Sequence, residues 1–541
     1  MKDKEAYITA EEMAALDENC SFFGLTPLQL MENAGANIAT EIKKRFESKE
    51  KAVKVTIVAG KGNNGGDAFA AARHLHGFDV KILLIGRSHD LRTEETKRNW
   101  RILKESGYEI EEIADSSELK IRANLLNDSN VIIDAIFGTG ITGKIREPEA
   151  TAIDLINESN AFVVATDIPS GLDPDTGEAE KAVRANLTVT FHKAKRGLLK
   201  KEAYVGELVV ADIGIPEGMD KLAGPGDVRL VVKRNAKSHK GDNGRVLIVG
   251  GGPFFGAPTL AALAALRAGA DWVTIAAPKS VSSIISSLSP NLIVQSLSSD
   301  VLVEKDVPVV SNLIRRHDVL VIGMGLGAAE ETKRATRRII EDEASKKVVV
   351  DADGFYGLHL PIQTLRKFDQ QPFRKSLIKN AAHASQEDKL VIVTPHAGEF
   401  LKMNIGSEGG SLIVPPENMM EERMKFVTDF SRLNNVVTLM KGPTDIISDG
   451  TRVKINRTGN AGMTVGGTGD VLAGLIGAFF AITSDAFKAA TAAAFVNGSA
   501  GDRAFEEKGY GLLATDVIEK IPDVIRGNRV SINRFRSDEH C

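Results

Sequence analysis

Short apolar runs rich in β-branched residues alternate with longer amphipathic stretches from Val53 to about Pro216. This alternation is typical of βαβ units, which build a largely parallel sheet flanked by helices. Ahead of it the pattern predicts helices over Thr9–Asn19 and Leu28–Phe46, the first opened by a capping box of Thr9 and Glu12. The strands predicted in this part are Val53–Ala59, Val80–Ile85, Val131–Ala135, Phe162–Thr166, Leu187–Phe191 and Leu208–Ala211.

The stretches GIPEGMDKLAGPGDVRL and KRNAKSHKGDNG are rich in Gly, Pro, Lys and Asn, and they predict a boundary between two domains near Pro216 to Gly226. The apolar run Val471–Ile482 is shorter than the roughly 20 residues that span a bilayer, so it predicts a buried helix. The fold class is therefore α/β in two tandem domains, residues 1–220 and 226–541, whose different glycine motifs argue against an internal repeat. Strands of the second domain are predicted at Val246–Val249, Trp272–Ala276, Val319–Ile322, Lys347–Val350, Leu390–Val393, Val436–Met440 and Asp445–Ile447.

Composition excludes several classes of function. The 68 Lys and Arg residues against 72 Asp and Glu give a net charge of -4, which supplies no basic field for a nucleic acid backbone. The start of the chain mixes charges where a signal peptide needs an apolar run, and the cysteines, Cys20 and Cys541, lie near opposite ends. We expect a cytoplasmic protein that acts on small molecules, with no membrane or nucleic acid partner.

A glycine-rich turn follows the first predicted strand. Its spacing, G-x-G-x-x-G at Gly60, Gly62 and Gly65, aims backbone N–H groups at an anion, although a tight turn could need the same glycines for packing. The acidic residue that reads a ribose about 20 positions later is missing, because the next strand ends in Gly86 and Arg87. The side chains of this turn that can bind a cation, or a ribose and phosphate, are Asn63, Asn64 and Asp67.

Two later loops carry further polar residues at predicted strand ends. Asp134 and the loop 138–144 belong to one strand end, and Asp167 and Ser170 to the next. Ligands of open parallel sheets bind outside the carboxyl ends of the strands, so we expect these residues to converge with the glycine-rich turn. Each aspartate taken alone could instead close a turn or cap a helix.

In the second domain, the stretch NAGMTVGGTGDVLAG opens the predicted buried helix. Gly466, Gly467 and Gly469 leave N–H groups that can hold a transferring phosphoryl group, and Asp470 lies in the first helical turn. A carboxylate beside such an oxyanion pocket can act as the base that activates a hydroxyl. The alternative is that Asp470 only complements the helix dipole.

The first domain resembles the NAD(P)HX epimerase family along essentially its whole length, in the motifs LMENAGANIA, AGKGNNGGDAFAAARHL, DAIFGTGITG and TDIPSGLDPDTG. The resemblance implies a Rossmann-like αβα sandwich that acts on hydrated NADH or NADPH, whose R and S forms interconvert at the nicotinamide C6. It implies a potassium ion held by Asn64, Asp134 and Ser170, with Asp167 as general acid and base. The residues implied to bind the hydrate are Asn63, Asn64, Gly65, Gly66, Asp67, Gly138, Thr139, Gly140, Ile141, Thr142, Gly143, Lys144 and Asp167.

The second domain resembles the NAD(P)HX dehydratase family of the ribokinase-like fold, in motifs that include GAPTLAALAALRAGA, VDADGF, TPHAGEF and INRTGNAGMTVGGTGDVLAG. The implied reaction phosphorylates the hydrate's hydroxyl from ADP or ATP with Mg²⁺, after which phosphate leaves. The residues implied to bind the hydrate are Ala257, Gly325, His396 and Asp470, the last as catalytic base. The residues implied to bind the nucleotide are Lys441, Gly442, Pro443, Thr444, Asp445, Asn460, Ala461, Gly462, Met463, Thr464, Val465, Gly466, Gly467, Thr468 and Gly469.

Some positions of the second domain stay open. His396 could be a simple turn residue, and Glu399 could place Mg²⁺ through water or cap a helix. The chain departs from the family pattern at sites that bear on the substrate pocket and leave the catalytic turn intact. These departures are Met324 for a usual proline, Gly251–Gly252 for Gly-Ser, and Asn497 for a frequent histidine.

Three hypotheses follow. The first is a bifunctional repair enzyme, in which the epimerase lets both hydrates drain through a dehydratase that uses ADP or ATP. The second is a ribokinase-like small-molecule kinase with a regulatory nucleotide-binding domain, which would leave a stable phosphoester. The third, a binding protein with degenerate sites, conflicts with the intact glycine turn and Asp470. We expect a homo-oligomer in each case.

Overall fold

The computed structural model describes residues 7–46, 52–140, 143–200, 202–235, 237–360, 390–405 and 414–527. The chain divides into two compact units, Met1–Met219 and Asp220–Cys541. Each unit is built on a large, mainly parallel sheet with helices between the strands, so the predicted class of two tandem α/β domains is confirmed. In the described ranges, every helix is too short or too polar to cross a membrane.

A seven-stranded parallel sheet forms the centre of the first unit. The strands of this unit are β1 (Tyr7–Ile8), β2 (Lys54–Ala59), β3 (Asp79–Ile85), β4 (Glu109–Ile113), β5 (Val131–Ala135), β6 (Phe162–Thr166), β7 (Leu187–Phe191), β8 (Ala194–Lys195) and β9 (Glu207–Ala211). The sheet order is β4-β3-β2-β5-β6-β7-β9, and β1 pairs with β8 in a separate parallel ribbon. The strand order reverses between β2 and β5, which is the point where open α/β sheets bind ligands.

Helices cover this sheet and leave the carboxyl ends of its strands to loops. They are α1 (Ala10–Phe22), α2 (Pro27–Phe46), α3 (Asn63–His74), α4 (Glu94–Glu105), α5 (Ser116–Ile121), α6 (Ala123–Asn127), α7 (Glu149–Glu158) and α8 (Glu202–Val205). Helix α1 begins with the predicted capping box, since the Glu12 N–H donates to Thr9 Oγ1 and the Thr9 N–H donates to Glu12 Oε2, both at 3.2 Å. The central strands β5 and β7 are buried at every residue.

The second unit is built on a nine-stranded sheet. The strands of the whole unit, nine in this sheet and two outside it, are β10 (Arg245–Val249), β11 (Trp272–Ala277), β12 (Ile293–Ser296), β13 (Val319–Ile322), β14 (Lys347–Val350), β15 (His359–Leu360), β16 (Leu390–Val393), β17 (Asn404–Ile405), β18 (Val437–Met440), β19 (Asp445–Ser448) and β20 (Val453–Asn456). The order is β12-β11-β10-β13-β14-β16-β18-β19-β20, with β19 antiparallel to both neighbours. Here the strand order reverses between β10 and β13. Strands β15 and β17 form a separate parallel pair.

The predicted buried helix of the second unit is α15, which packs between α10 and α16. Gly474 allows the approach to α10, because a Cβ there would lie 2.0 Å from the Ala261 carbonyl oxygen. The apolar packing fixes the N-terminal turn of α15, which carries Asp470, at the carboxyl end of the sheet. The helices of this unit are α9 (Pro225–Val231), α10 (Gly256–Arg267), α11 (Lys279–Leu288), α12 (Val307–Ile314), α13 (Glu330–Glu341), α14 (Met420–Asn434), α15 (Thr468–Ile482), α16 (Ala486–Lys508) and α17 (Ala514–Ile525).

Every strand predicted from the sequence pattern is present, but three strands of the two main sheets were not predicted. These are β4, β12 and β20, and each is the edge strand of its sheet. An edge strand is only partly covered, so it needs few apolar residues and gives a weak pattern. In β4 only Ile113 of the sequence EIEEI is buried.

Candidate functional sites

The glycine-rich turn of the first unit joins β2 to α3. A Cβ on Gly60 would lie 2.0 Å from the Ile136 carbonyl oxygen, and one on Gly65 would lie 2.1 Å from the Gly60 carbonyl oxygen. These two glycines are therefore required by close backbone packing. Gly62 has open space around it and precedes the first turn of α3, whose N–H groups lack helical acceptors. The turn therefore combines a packing role with an exposed anion-binding end.

The three predicted potassium ligands lie close together. The Ser170 hydroxyl donates to Asp134 Oδ1 at 2.6 Å and its backbone N–H donates to Asp134 Oδ2 at 2.7 Å. Asn64 Nδ2 donates to the Phe137 carbonyl oxygen at 2.9 Å, and the Phe137 N–H donates to Ser170 Oγ at 2.9 Å. Asp134 is fully buried, and burial raises its pKa to about 6 against the hydrogen bonds from Ser170. A buried carboxyl group among neutral oxygen atoms fits a bound monovalent cation.

Asp167 follows β6 in a strained turn. Its φ is 62°, and the turn is closed by a hydrogen bond from the Ile168 N–H to the Thr166 carbonyl oxygen at 2.7 Å. Such a three-residue turn with positive φ is rare and costs energy in a residue with a side chain. Asp167 Oδ1 accepts hydrogen bonds from Lys195 Nζ at 2.5 Å and from Thr190 Oγ1 at 2.9 Å. The side chain is thus held in one position at the carboxyl end of the sheet.

Three residues around Asp167 were not predicted from the sequence. Lys195 is 1% exposed and pairs with Asp167. Asp17, on α1, has a pKa raised to about 6 by burial and by Asp167, against Lys195 and His192. His192 repeats the strained turn at the end of β7, with φ 61° and a 2.7 Å hydrogen bond from the Lys193 N–H to the Phe191 carbonyl oxygen. Adjacent strained residues that carry ionisable groups are typical of a reaction centre.

The predicted hydrate residues are placed in two different ways. Asp67 interacts electrostatically with Asp167, Asp17 and Lys195, and we call these four residues together with His192 the Asp167 cluster. Burial is the main reason that the pKa of Asp67 is raised well above the usual range, and Asp167 and Asp17 add to this effect. Asn63 Oδ1 instead accepts from Thr93 Oγ1 at 2.7 Å, and Lys144 lies 3.5 Å from Glu180 in an exposed ion pair. Of the other predicted hydrate residues, Gly65, Gly66, Gly138 and Thr139 are at least partly covered, Gly140 and Gly143 are exposed, and Ile141 and Thr142 lie outside the described residues.

In the second unit, Gly467 has φ 101° and caps α15. The following N–H groups, including those of Gly469 and Asp470, have no acceptor within the helix and could hold an anion. We call these N–H groups the oxyanion pocket. Asp470 is half-buried in the first turn, and its pKa is raised to about 7. Burial is the main cause, and the carboxylates of Asp351, Glu399 and Asp353 add to it, against Lys441. A carboxyl group with this pKa can accept and release a proton near neutral pH.

Lys441 lies at the centre of this site. Its Nζ is 2.8 Å from Asp351 Oδ1 and 3.4 Å from Glu399 Oε2, and a Cβ on Gly469 would lie 3.6 Å from it. Burial alone would lower the pKa of Lys441, but Asp351 and Glu399 outweigh burial and raise it. The lysine therefore remains charged beside the oxyanion pocket, where an incoming phosphate group would meet it. Asp351 was not assigned from the sequence, although the VDADGF motif at the end of β14 contains it.

Two of the predicted hydrate residues of the second unit lie where the strand order reverses between β10 and β13, and His396 follows β16. Ala257 is in the first turn of α10, and Gly325 follows β13 with φ 70°. A Cβ on Gly325 would lie 2.2 Å from the Phe254 carbonyl oxygen, so the two loops touch. His396 is 57% exposed in its side chain and begins the 3-10 helix Ala397–Lys402. Glu399 caps that helix, since its Oε2 accepts from the His396 N–H at 2.9 Å.

Several of the predicted nucleotide residues shape the loops around the oxyanion pocket. Asp445 Oδ1 accepts from the Gly442 N–H at 3.1 Å, and Asn460 Oδ1 accepts from the Gly462 N–H at 2.9 Å. The Thr468 hydroxyl donates to the Met463 carbonyl oxygen at 2.9 Å. These hydrogen bonds fix the shape of the loops that are predicted to bind the nucleotide. The remaining predicted residues with exposed or partly exposed positions are Pro443, Thr444, Ala461, Thr464, Val465 and Gly466.

Comparison with known proteins identifies the family of both units. A family model described as YjeF-related protein N-terminus matches residues 27–197, and one described as NAD(P)H-hydrate dehydratase matches residues 246–523. A relative from Archaeoglobus fulgidus, named bifunctional NAD(P)H-hydrate repair enzyme Nnr, is 44% identical over 519 residues, 96% of this chain and 98% of the relative. The chain belongs to the family of bifunctional NAD(P)H-hydrate repair enzymes. The family predicted from the motifs of both domains is thereby confirmed.

Two further proteins are similar to this member of the repair enzyme family. A relative of the same name from Pyrobaculum aerophilum is 44% identical over 528 residues, 96% of this chain and 98% of the relative. A solved structure of an ADP/ATP-dependent NAD(P)H-hydrate dehydratase from Bacillus subtilis, co-crystallized with ATP and Mg²⁺, is also similar. The match covers 57% of this chain and 98% of the Bacillus subtilis chain, at 23% identity and a TM-score of 0.43. Family membership supports the repair enzyme, with an epimerase and a dehydratase domain, over the kinase and binding-protein hypotheses.

Proposed function

We propose that this protein repairs hydrated NADH and NADPH in two steps, with residues 1–220 as the epimerase and residues 226–541 as the dehydratase. The observation that carries the proposal is Asp470, a carboxyl group with a pKa raised to about 7 beside the N-terminal N–H groups of α15. Transfer of a phosphoryl group to a hydroxyl requires a base that accepts the hydroxyl proton and, beside it, an oxyanion pocket that stabilises the transferring group. The Asp167 cluster of the first unit supplies a separate acid–base centre.

In the dehydratase reaction, Asp470 accepts the proton of the C6 hydroxyl while that oxygen takes the phosphoryl group of ADP or ATP. The N–H groups at the start of α15 and the Lys441 ammonium stabilise the charge on the transferring group. The C6–O bond then breaks, phosphate leaves and a proton is lost from C5, which regenerates NADH or NADPH with AMP or ADP as the second product. Ala257, Gly325 and His396 would hold the hydrate, and the loops 441–445 and 460–469 the nucleotide.

Mg²⁺ would enter this site with the nucleotide. Among the described residues, no group of three or more His, Cys, Asp or Glu side chains is arranged to hold a metal ion. Mg²⁺ commonly keeps several waters and binds through one or two carboxylates together with substrate phosphates, so such a group is not required. Asp351 and Glu399 fit that role, since both are buried carboxylates beside Lys441. We propose ADP as the preferred phosphoryl donor.

In the epimerase reaction, C6 must lose its hydroxyl and regain it on the opposite face. An acid that protonates the departing hydroxyl and a base that deprotonates the returning water are both needed. Asp167 is the proposed acid–base residue, because it is fixed at the end of β6 with Oδ1 bound by Lys195 and Thr190. The lack of a ribose-reading acid after β3 allows both NADHX and NADPHX to bind.

Potassium is the proposed cation of the first unit, held by Asn64, Asp134 and Ser170. When bound it would neutralise the buried Asp134 carboxylate and fix the Phe137 loop. We expect K⁺ at about 100 times its dissociation constant to add about 2.7 kcal/mol to the unfolding free energy, or about 5 to 10 °C in melting temperature. The measurement is a thermal melt in KCl against choline chloride. The melt is recorded through the fluorescence of Trp100, which lies in the first unit. The other tryptophan is removed by Trp272→Phe in every protein compared.

Asp134→Asn should remove most of this K⁺ response, because the charge that attracts the cation is gone. Asp115→Asn is the matched control, since Asp115 Oδ1 caps α5 through the Ser117 N–H at 2.7 Å and belongs to a different loop. It should lower the melting temperature without changing the K⁺ response. An equal response in Asp134→Asn would contradict the cation site.

The test of the two-step proposal is recovery of NADH from a mixture of R and S NADHX in the presence of ADP or ATP. We expect complete recovery, with both hydrates consumed. Recovery limited to the S fraction would contradict the epimerase assignment, and no recovery with either nucleotide would contradict the dehydratase assignment. Comparing the rates with ADP and ATP settles the donor.

Two wider proposals concern the cellular setting. A homo-oligomer is proposed, since Ile284, Leu288 and Ile293 expose an apolar surface on α11 and the edge strand β12. Light scattering in solution would decide it.

A cytoplasmic location is proposed because the substrates are hydrates of NADH and NADPH and the second substrate is an adenine nucleotide.

A further inference from the structure

Lys195 is a buried lysine inside the candidate epimerase site. It is 1% exposed, and its Nζ donates to Asp167 Oδ1 at 2.5 Å, to Thr190 Oγ1 at 3.1 Å and to the Phe191 carbonyl oxygen at 3.3 Å. Thus one of its three partners is a carboxylate and the other two are neutral. A buried ammonium group needs a paired anion, so the arrangement favours the charged form of Asp167.

The same ammonium group faces more carboxyl groups than it can neutralise. Asp17 on α1 and Asp67 on α3 both interact electrostatically with Lys195 and with Asp167. Neighbouring carboxylates repel one another, so the protons stay on the groups that lack a direct cation. Asp167 has the direct ion pair, whereas burial and the charge of Asp167 raise the pKa of Asp67 well above its usual range. Among the residues that the structure describes, His192 also acts electrostatically on this cluster, through Asp17.

We propose that Lys195 is a positioning residue that divides the acid–base work of this site, holding Asp167 as the proton acceptor and leaving the proton on Asp67, the donor. The inference rests on the proposed epimerase function and deepens it. Asp67 gives its proton to the C6 hydroxyl, the C6–O bond breaks, and water leaves with both bonding electrons while the N1 lone pair stabilises C6. Water then adds to the opposite face through its oxygen and gives a proton to Asp167. Proton exchange with solvent restores both groups.

The strained backbone agrees with this division. Asp167 and His192 both have positive φ, at the ends of the adjacent strands β6 and β7, and Lys195 follows within the short strand β8. Thr190, on β7, both donates to Asp167 and accepts from Lys195. The ion pair is therefore fixed on both sides by elements of the sheet. A salt bridge with only a packing role would not need two strained turns.

The pH profile of R-to-S interconversion in the full chain tests the inference. In the native protein we expect a plateau that falls at low pH, where the proton acceptor of the reaction is lost, and at high pH, when Asp67 loses its proton. In Lys195→Met the low-pH limb should move to higher pH, because an adjacent cation favours the charged form of a carboxylate and this cation is gone. Thr190→Val keeps the shape of the side chain but removes its hydrogen bonds to Asp167 and Lys195, and it should move the same limb by a smaller amount. Asp67→Asn should remove the high-pH limb and lower the plateau.

Lys181→Met is the matched control. Lys181 Nζ lies 2.5 Å from Asp154 Oδ2, the same distance as in the Lys195 pair, but both side chains are at least 36% exposed. It should leave the profile unchanged. A uniform loss of rate at every pH in Lys195→Met and Thr190→Val, with unmoved limbs, would overturn the inference and leave a structural role. If Lys195→Met fails to fold, Thr190→Val decides alone. Absence of interconversion in the native protein would instead contradict the proposed function.

Discussion

Replacing Asp470 by asparagine should abolish recovery of NADH from S-NADHX while R and S hydrates still interconvert. The amide cannot accept the hydroxyl proton, and loss of a general base costs about 10²- to 10⁴-fold in rate. The surrounding fold should persist, since Asn is close in size and Asp470 lies half-buried at the start of α15. The measurement is NADH formation from purified S-NADHX with ADP and Mg²⁺, with chromatography of the R and S hydrates as the second readout.

The pH profile gives the same prediction a second measurement. Burial, with the nearby carboxylates, raises the pKa of Asp470 to about 7. The base works when deprotonated, so kcat/KM should rise with pH through this value and fall about tenfold per pH unit below it. This limb should vanish from the residual activity of Asp470→Asn. An unchanged limb would assign the titration to another group.

A matched control separates catalysis from the helix dipole alternative. Asp516 is also in the first turn of a helix, α17, and its Oδ2 accepts from the Leu513 N–H at 2.7 Å. Asp516→Asn should cost about 0.5 to 2 kcal/mol of stability, as for loss of a helix cap, and leave the rate unchanged. If both variants lost only stability, Asp470 would be a dipole partner rather than the base.

Much of both sites follows from strand order and motif position. Parallel strands end at one edge of a sheet, so Asn64, Asp134 and Ser170 could be expected to meet from the loops that contain them. In the structure Ser170 bonds to Asp134, and Phe137 links Asn64 to Ser170. The sequence likewise predicts Asp470 at the start of a buried helix, because glycines directly precede an apolar run. These features depend on local sequence and on sheet topology alone.

The pairing of charges could not be read in the same way. Lys195 lies beyond an irregular strained turn in a two-residue strand, and nothing in the sequence spacing shows that it is buried against Asp167. Asp351 comes directly after β14 and Lys441 directly after β18, and their ion pair appears only when those strands are placed in one sheet. In contrast, Lys144 lies in a recognisable motif, yet its side chain pairs with Glu180, so its role in binding the hydrate stays a prediction.

Asp167→Asn should have the opposite effect to Asp470→Asn. The amide has no charge for Lys195 and cannot accept a proton, so R and S interconversion should fall by about 10²- to 10⁴-fold towards its spontaneous rate. Dehydration of purified S-NADHX should continue, because its residues belong to the other unit. With a mixed substrate, NADH should therefore form in a fast phase equal to the S fraction, followed by a slow phase at the spontaneous rate of epimerisation.

The control for this variant is Asp212→Asn. Asp212 follows β9 of the same sheet, and its Oδ1 accepts from the Gly214 N–H at 2.8 Å, so it is an aspartate that closes a turn. It should keep a single phase of complete recovery. Because Asp167 is in a strained turn, the folding of Asp167→Asn must also be checked by a thermal melt followed through Trp100 fluorescence. A first unit that stays folded, together with two-phase recovery of NADH, supports a chemical role for Asp167. Single-phase recovery at the native rate in Asp167→Asn would remove Asp167 from the reaction, and Asp67 and Asp17 would then be the remaining acids of the cluster.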